Sequence, residues 1–231
     1  MSKKTQKCIN DVGRYEKKLS NTWGLFLFFL LIFIDQITKL IADVYFIDIL
    51  KNPNATITVI PGVIELCMSY NRGIAFGTFS SSDNVALKMG IVLSTGVLML
   101  LIAVFFFKAD HRRTFFRVAL MFVIAGGVGN LIDRVYYRIW DPSTAALVRD
   151  GVRDMVRVKI IFDFGVCNFA DFFIVGGGIA LVLALLFFDR DAILPLGKKY
   201  KALAKEAEEE AARKEAEKKA KKQEKKQANN G

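Results

Sequence analysis

The stretch WGLFLFFLLIFIDQITKLIA, residues 23–42, is an apolar run long enough to cross a bilayer as a helix. Asp35 and Lys39 lie inside it, four residues apart, and side chains at that spacing share one helical face. An ion pair would make both tolerable in hydrocarbon, and a direct part in chemistry is the alternative. Because charged residues interrupt the run and no small-residue cleavage site follows, we expect a membrane-spanning helix rather than a cleaved leader.

The remaining composition is that of a small integral membrane protein. The chain has 231 residues, of which 53% are hydrophobic and 20 are Phe, and its mean hydropathy is positive. Three more apolar blocks follow the first, and they are Val85–Phe107, Phe115–Tyr137 and Ala170–Phe188. A bilayer helix needs ~20 apolar residues, so the sequence predicts a mainly α-helical protein with four transmembrane helices.

Basic residues are distributed unevenly, and this predicts the orientation of the spans. The formal net charge is +10, and Lys and Arg are concentrated in three segments, which are residues 1–22, 108–117 and the tail beyond 196. The positive-inside rule places these segments, and with them both termini, in the cytoplasm. Residues 45–84 and 138–168 are then outside, although five basic residues in the second weaken the rule there. Orientation and anionic lipid account for the charge, so no nucleic-acid partner is predicted.

The two outer segments differ in how clearly they can be interpreted. ATITVIPGVIELCMSY, residues 55–70, alternates in part and contains a Pro61-Gly62 turn, so we predict a small β-sheet on the outer membrane surface. The sequence of 138–168 is compatible with either a strand or a short interfacial helix. The predicted organisation has three parts, which are a cytoplasmic segment at 1–22, a membrane domain at 23–188 with the external sheet at about 45–84 and the external loop at about 138–168, and a charged cytoplasmic tail at 189–231.

The tail from Lys198 to Gln227 consists almost entirely of Lys, Glu and Ala. These are strong helix formers, and opposite charges three and four residues apart favour a solvated helix. We expect a solubilising extension, and the alternative is a segment that binds anionic lipid or a partner.

Cysteine and histidine give no sign of a metal site. His111 is the only histidine and no cysteine has metal-ligand spacing, so neither a zinc site nor a histidine-based triad is expected. Cys67 and Cys167 are both predicted to be external, where an oxidising compartment would permit a disulfide, and the sequence leaves this pairing open. No metal or cofactor is predicted.

Four acidic residues lie in or beside the apolar blocks, and they are Asp35, Asp133, Asp154 and Asp171. A carboxylate in hydrocarbon costs roughly 2.5–3.5 kcal/mol, so each needs a cation, a water-filled cavity or a substrate. Two carboxyl groups that meet near the outer face can activate water without a metal, because they share one proton. The pattern favours an intramembrane aspartic hydrolase.

Two helical faces carry polar groups that would accompany such acids. Asn130, Asp133 and Arg134 share one face of the third span, where a structural polar network is the alternative explanation. Asn168 and Asp171 share a face at the start of the fourth span, where the alternative is a helix N-terminal acid satisfied by backbone N–H groups. Glycines in both spans permit close helix packing.

Four motifs occur in order along the chain, and they are DQITK at 35–39, NRGIAFG at 71–77, GNLIDR at 129–134 and NFAD at 168–171. Together they resemble lipoprotein signal peptidase, also called signal peptidase II, of peptidase family A8, over residues 23–188. The resemblance implies four transmembrane helices with an external β-cradle, in an aspartic endopeptidase of the bacterial inner membrane. Such an enzyme removes signal peptides from diacylglyceryl-modified prolipoproteins, cutting on the amino side of the lipidated cysteine, without a metal. Its partners are these substrates and membrane lipid, and we expect a monomer.

The resemblance also implies a pair of catalytic aspartates. Asp171 matches the aspartate of the family's Asn-x-Ala-Asp motif. The other family aspartate lies in a Val-Val-Asp-Phe-like run, for which VRDM at 152–155 is the best match, so Asp154 is assigned. Asp150 and Asp163 are the competing positions.

The remaining motif positions imply supporting roles. The residues expected to line the site and position the substrate are Asn71, Gly73, Asn130, Arg134 and Asn168. The residues expected to hold helices and loops in place are Asp35, Lys39 and Asp133. The chain departs from the family pattern at Arg153, which replaces an apolar residue beside the assigned acid, and at Cys167, which replaces an aromatic residue.

Three other functions remain open. A proton-coupled transporter also places carboxylates in spans, although four spans without an internal repeat are few for one. A Ser/Lys peptidase would use Lys39 with Ser69 or with the Ser80–Ser82 cluster. A non-catalytic membrane scaffold would act through its charged tail.

Overall fold

The computed structural model describes residues 19–73, 78–79, 84–144, 149–159, 163–189 and 192–228. The chain divides into two compact units. The larger contains residues 21–109 and 118–179, and the smaller contains residues 1–20, 110–117 and 180–231. Every site residue predicted above lies in the larger unit.

The described part of the chain contains five α-helices, which are α1 (Asn21–Asp43), α2 (Val85–Lys108), α3 (Thr114–Tyr136), α4 (Phe169–Leu183) and α5 (Gly197–Ala228). A π-helix extends α1 over Val44–Ile49, and another extends α4 over Ala184–Phe188. Four helical stretches are long and apolar enough to cross a membrane, and they are 21–49, 85–108, 114–136 and 169–188. The predicted mainly helical fold with four spans is confirmed.

The first span is longer than the sequence indicated. We expected it to end near Ala42, but the helical path continues through VYFIDI to Ile49, and Phe46 within it is 2% exposed. The extension is stabilised from far along the chain, because Arg149 forms a salt bridge of 2.7 Å with Asp48. The first strand begins eight residues after the end of this extension, at Ile57.

Helix α3 is the central span of the larger unit. About half of its most apolar stretch, 56%, is buried, compared with 11–17% for the other spans. It approaches α1 closely at Gly129, where an added Cβ would lie 2.5 Å from Asp35 Oδ2. On α4, the ring of Phe173 packs edge-on against Phe122 of α3, with 5.7 Å between centroids. The small residue at 129 thus lets a buried carboxylate reach the surface of α3.

Residues from the segments 45–84 and 138–168 form one antiparallel sheet in the order β1–β2–β3–β4, with strands β1 (Ile57–Ile60), β2 (Ile64–Asn71), β3 (Val152–Lys159) and β4 (Asp163–Cys167). Within it Ser69 pairs with Asp154, and Asn71 pairs with Val152. The small predicted sheet is confirmed. The segment that the sequence left open between strand and helix supplies two of its four strands.

Cys67 and Cys167 are both free. Strand β3 lies between them, because Leu66, the neighbour of Cys67, and Cys167 both pair with Val156. Two strand spacings are about 9.6 Å, which exceeds the ~7 Å between Cα atoms that a disulfide allows. The disulfide left open by the sequence is therefore not formed, and the intervening strand is the physical reason.

The described residues of the smaller unit are dominated by α5, the helix predicted for the tail, which is 32 residues long. Ion pairs along its surface include Lys214 with Glu210, four residues apart, at 2.9 Å. Asp189, 3% exposed, forms a salt bridge with Arg113 at 2.5 Å. A polar helix of this kind is stabilised by such pairs rather than by an apolar face.

Candidate active site

The fourth span begins with a reciprocal hydrogen-bonded pair formed by Asn168 and Asp171. The side-chain oxygen of Asn168 accepts from the backbone N–H of Asp171 at 3.1 Å, and Asp171 Oδ2 accepts from the backbone N–H of Asn168 at 3.0 Å. This is a capping box, which satisfies two of the N–H groups that lack partners at a helix start. The NFAD sequence therefore both starts α4 and fixes the direction of the Asp171 carboxyl group.

The second oxygen of Asp171 is bound by an amide from the central helix. Asn130 Nδ2 donates to Asp171 Oδ1 at 2.8 Å. The oxygen of the same amide accepts from Lys39 Nζ and from Asn168 Nδ2, each at 3.0 Å. An ammonium group only donates hydrogen bonds, so the Asn130 oxygen has to face Lys39 and its NH2 group has to face Asp171.

Asp154 lies on β3, is 4% exposed and is bound by the amides of Asn168 and Asn71. Asn168 Nδ2 donates to Asp154 Oδ1 at 2.6 Å, and Asn71 also donates to this carboxyl group. Burial, reinforced by the negative charge of Asp171, raises the pKa of Asp154 to about 7. Two neighbouring carboxyl groups in unlike surroundings are the arrangement in which one serves as acid and the other as base.

A buried charge cluster, which consists of Asp35, Lys39 and Asp133, supports the residues around Asp154 and Asp171. Lys39 Nζ lies 2.9 Å from Asp35 Oδ2 and 3.3 Å from Asp133 Oδ2, and all three side chains are fully buried. Asp35 Oδ1 also accepts from the backbone N–H of Ala170 at 2.9 Å, which joins α1 to the first turn of α4. The predicted ion pair is present. Because Lys39 also bonds to Asn130, it orients a group of the site as well as holding helices together.

Arg134 and Gly73 hold the chain just beyond β2. Arg134 Nη2 donates to the carbonyl oxygen of Gly73 at 3.1 Å, and the N–H of Gly73 donates to Asn71 Oδ1 at 2.8 Å. With its oxygen occupied in this way, Asn71 presents its NH2 group to Asp154. The rest of the NRGIAFG motif, residues 74–77, lies outside the described residues.

The two competing acids lie elsewhere. Asp150 forms a salt bridge with Arg72 at 2.9 Å. Asp163 is exposed at the start of β4, where its side chain accepts from the N–H of Gly165 at 2.8 Å. Of the three candidates, Asp154 is the one that the structure brings to Asp171 through a shared amide.

Two residues to which the sequence assigned no role, Gly151 and Arg153, support the site. Gly151 has φ of +125°, and a Cβ there would lie 2.6 Å from the carbonyl group of Asn71. Arg153 binds Asp133 and Gln36, which are 20 and 117 residues away in the sequence. An isolated glycine before a strand is a usable signal of close backbone approach. Spacing alone does not connect Arg153 to such distant partners.

The described residues also bear on metals and on the Ser/Lys alternative. Within the described ranges, no group of three or more His, Cys, Asp or Glu side chains could hold a metal ion. Lys39, the base that a Ser/Lys peptidase would need, has acceptors for all three of its protons in Asp35, Asp133 and Asn130. The Ser80–Ser82 cluster lies outside the described residues.

Comparison with known proteins gives concordant results. A family model described as Signal peptidase (SPase) II matches residues 27–187. The chain is 31% identical to the lipoprotein signal peptidase of Fusobacterium nucleatum over 168 residues, which cover 72% of this chain and 87% of that protein. It is 30% identical to the lipoprotein signal peptidase of Staphylococcus haemolyticus over 173 residues, which cover 74% of this chain and 95% of that protein.

Solved structures show the same relationship. Two bacterial membrane enzymes determined by the in meso method, at 2.3 and 1.9 Å resolution, are 26% identical to this chain, with TM-scores of 0.58 and 0.56. Each similarity covers 74% of this chain, and the two cover 92% and 97% of the solved chains.

Proposed function

The chain belongs to the signal peptidase II family of bacterial membrane proteases that remove signal peptides from lipoproteins, and we propose that it does so as an aspartic endopeptidase with Asp154 and Asp171 as its catalytic pair. One observation carries this proposal. The two carboxyl groups, one on a strand and one at a helix start, are joined through the amides of Asn130 and Asn168. Burial and the neighbouring acid raise the pKa of Asp154 to about 7, so this carboxyl group can hold a proton near neutral pH and serve as an acid.

In the proposed reaction Asp171 is the base and Asp154 is the acid. Both oxygens of the Asp171 carboxyl group accept hydrogen bonds, one from the backbone N–H of Asn168 and the other from the amide of Asn130, so we assign to it the role of proton acceptor. Asp154, with a pKa of about 7, holds the proton of the pair and uses it as a hydrogen-bond donor.

The steps follow from these protonation states. Asp171 removes a proton from a water molecule while the water oxygen forms a bond to the carbonyl carbon of the scissile peptide. Asp154 donates its proton in a hydrogen bond to the carbonyl oxygen, which stabilises the negative charge that develops there. When the C–N bond breaks, the proton held by Asp171 passes to the departing amine, and the pair again holds one proton.

We propose that the substrates are diacylglyceryl-modified prolipoproteins, cut on the amino side of the lipidated cysteine. The spans expose large apolar side chains, among them Phe33 at 63%, Leu100 at 66% and Val175 at 60%. Acyl chains and an apolar signal helix can therefore stay in hydrocarbon while the scissile bond reaches the polar groups at the start of α4. Holding the substrate through its lipid positions the bond without many side-chain contacts.

The proposed setting is the bacterial inner membrane, with both termini in the cytoplasm, the site near the outer face and the protein acting as a monomer. Charge asymmetry supports this orientation. Residues 45–84 contain two basic residues, whereas the tail after Leu196 contains twelve. Short loops rich in Lys and Arg stay on the cytoplasmic side.

The proposal is tested with purified protein in detergent and a diacylated lipobox peptide, with products identified by mass spectrometry. The wild type should release a fragment that begins with the lipidated cysteine. Asp171→Asn and Asp154→Asn should each lower kcat by about 10²-fold or more, because each removes a proton-transfer group. Asp163→Asn changes an exposed carboxyl group of the same sheet and should cleave at the wild-type rate.

Three outcomes would contradict the proposal. Cleavage by Asp171→Asn at the wild-type rate would exclude the aspartate pair. Loss of turnover on addition of a chelator would contradict metal-free chemistry. Loss of turnover when Ser69 and Ser80–Ser82 are replaced by Ala would favour the Ser/Lys alternative instead.

A further inference from the structure

Arg153, the residue before Asp154, is 8% exposed and is held by two of the membrane helices. Its Nη2 lies 2.7 Å from Asp133 Oδ1, its backbone N–H donates to Oδ2 at 3.0 Å, and its Nε lies 3.4 Å from the same Oδ2. Nη2 also donates to Gln36 Oε1 at 3.0 Å, and the guanidinium carbon lies 5.6 Å from the ring centroid of Tyr137. The strand is thereby bound to α1 through Gln36 and to α3 through Asp133.

These contacts complete the charge balance of the buried charge cluster. The cluster contains two carboxylates, Asp35 and Asp133, but one ammonium group, that of Lys39. A buried carboxylate without its own cation is strongly destabilising. Arg153 supplies the second cation and binds both oxygens of Asp133, so the four side chains together carry no formal net charge.

The same contacts act on the strand beside the catalytic acid. Successive side chains of a strand point to opposite faces, so Arg153 and Asp154 are held from opposite sides of β3. Asn168 and Asn71 bind the Asp154 carboxyl group on one side. On the other side, both the guanidinium group and the backbone N–H of Arg153 are fixed by Asp133.

We propose that Arg153 is a positioning residue of the catalytic pair, which clamps β3 to α1 and α3 and so sets the position of Asp154 relative to Asp171. The inference rests on the proposed function, because it concerns the geometry of the same pair. It also gives a physical meaning to the departure of this chain from the family pattern at that position.

The test compares variants of the full-length protein. Arg153→Met removes the charge and the forked donor, whereas Arg153→Lys keeps the charge but offers a single donor group. Arg157→Met is the matched control, because Arg157 lies on the same strand, outside the buried charge cluster, and its ion pair with Glu65 is long at 3.8 Å. The measurements are kcat and KM on the diacylated lipobox peptide, taken on the folded fraction from size exclusion.

Arg153→Met should lower kcat by about 100-fold, the effect of a displacement of roughly 1 Å in a catalytic group. KM should change by less than about threefold, because Arg153 is not proposed to touch the substrate. Arg153→Lys should have a kcat about tenfold higher than that of Arg153→Met. Arg157→Met should have the kcat of the wild type. A kcat of Arg153→Met within about threefold of the wild type would overturn the proposal.

A double variant distinguishes two possible roles of Arg153, which are to position strand β3 and to neutralise the charge of Asp133. Asp133→Asn combined with Arg153→Met removes one anion and one cation together. If Arg153 served only to neutralise Asp133, kcat should rise well above that of Arg153→Met, and this would overturn the positioning role. If Arg153 positions the strand, kcat of the double variant should stay as low as that of Arg153→Met, because the contacts that bind β3 to α1 and α3 are still missing.

Failure of the proposed function has a different signature. In that case the wild type would not cleave the peptide, or Asp171→Asn would cleave it. The clamp is then tested by hydrogen exchange, which requires no activity. The amides of Asp154 and Met155 should exchange at least about tenfold faster in Arg153→Met than in Arg157→Met, and equal rates would overturn the proposal.

Discussion

Asp154 is buried on β3, and its pKa of about 7 in the folded protein lies well above the ordinary aspartate value of 3.8. A group whose pKa is raised by folding favours the folded state when it is protonated. This contribution is complete below pH ~4 and is lost as the pH rises through about 7. A shift of this size corresponds to at most about 4 kcal/mol in the free energy of unfolding.

We therefore expect Asp154→Asn to raise the thermal midpoint of the purified protein by more at pH 8 than at pH 5. The amide cannot ionise, so it does not lose stability as the pH rises. Thermal unfolding in detergent at the two pH values measures this, with Asp163→Asn as the exposed control. An equal shift of the thermal midpoint at both pH values would show that ionisation of Asp154 does not destabilise the folded state.

The motifs led directly to the residues that meet at the site, whereas the partners of several of them required the structure. The sequence left Asp171 open between a helix cap and a functional acid. In the structure one carboxyl oxygen caps the helix by accepting from the Asn168 N–H, and the other accepts from Asn130. Arg153 was recognisable only as a departure from the family pattern. Its contacts with Asp133 depend on how β3 packs, which local sequence does not encode.

The helices were more predictable than the strands. A lipid bilayer imposes a length and an apolar composition on each span, so hydropathy alone located all four. The segment 138–168 has no such constraint, and its strands are decided by pairing with β2, which lies far away in the sequence. The order of the strands also decided the cysteine question, since β3 separates Cys67 from Cys167.

Close packing of α3 against α1 at Gly129 gives a further prediction. In Gly129→Ala the new Cβ would meet Asp35 Oδ2 at 2.5 Å, so the carboxylate that supports the site must move. We expect a loss of roughly 1–3 kcal/mol in stability and a lower kcat, measured by thermal unfolding and peptide cleavage.

Gly96→Ala is the matched control for this prediction, because its Cβ would meet only Leu131 Cδ2, at an ordinary 3.8 Å. The control should keep its activity and its thermal midpoint. If the two variants behaved alike, close approach at Gly129 would not constrain the fold.

The division of the chain into two units predicts which parts catalysis needs. Every residue of the proposed site lies in the larger unit, whereas α5 belongs to the smaller. A variant that lacks residues 198–231 should keep kcat within about a factor of two, because the deletion removes no residue of the proposed site. Loss of cleavage by a folded, membrane-inserted variant would instead favour a role for the tail in activity.

Strands β2 and β3 are neighbours in one sheet although two spans separate them along the chain. Both must therefore reach the same side of the bilayer, and the chain has to pass through it twice in between. Synthesis proceeds from the N-terminus, so Asn71 leaves the ribosome well before Asp154, and Asp171 follows last of the three. A chain that has not yet been made as far as the fourth span therefore lacks Asp171, and the proposed pair can form only after this span has been synthesised.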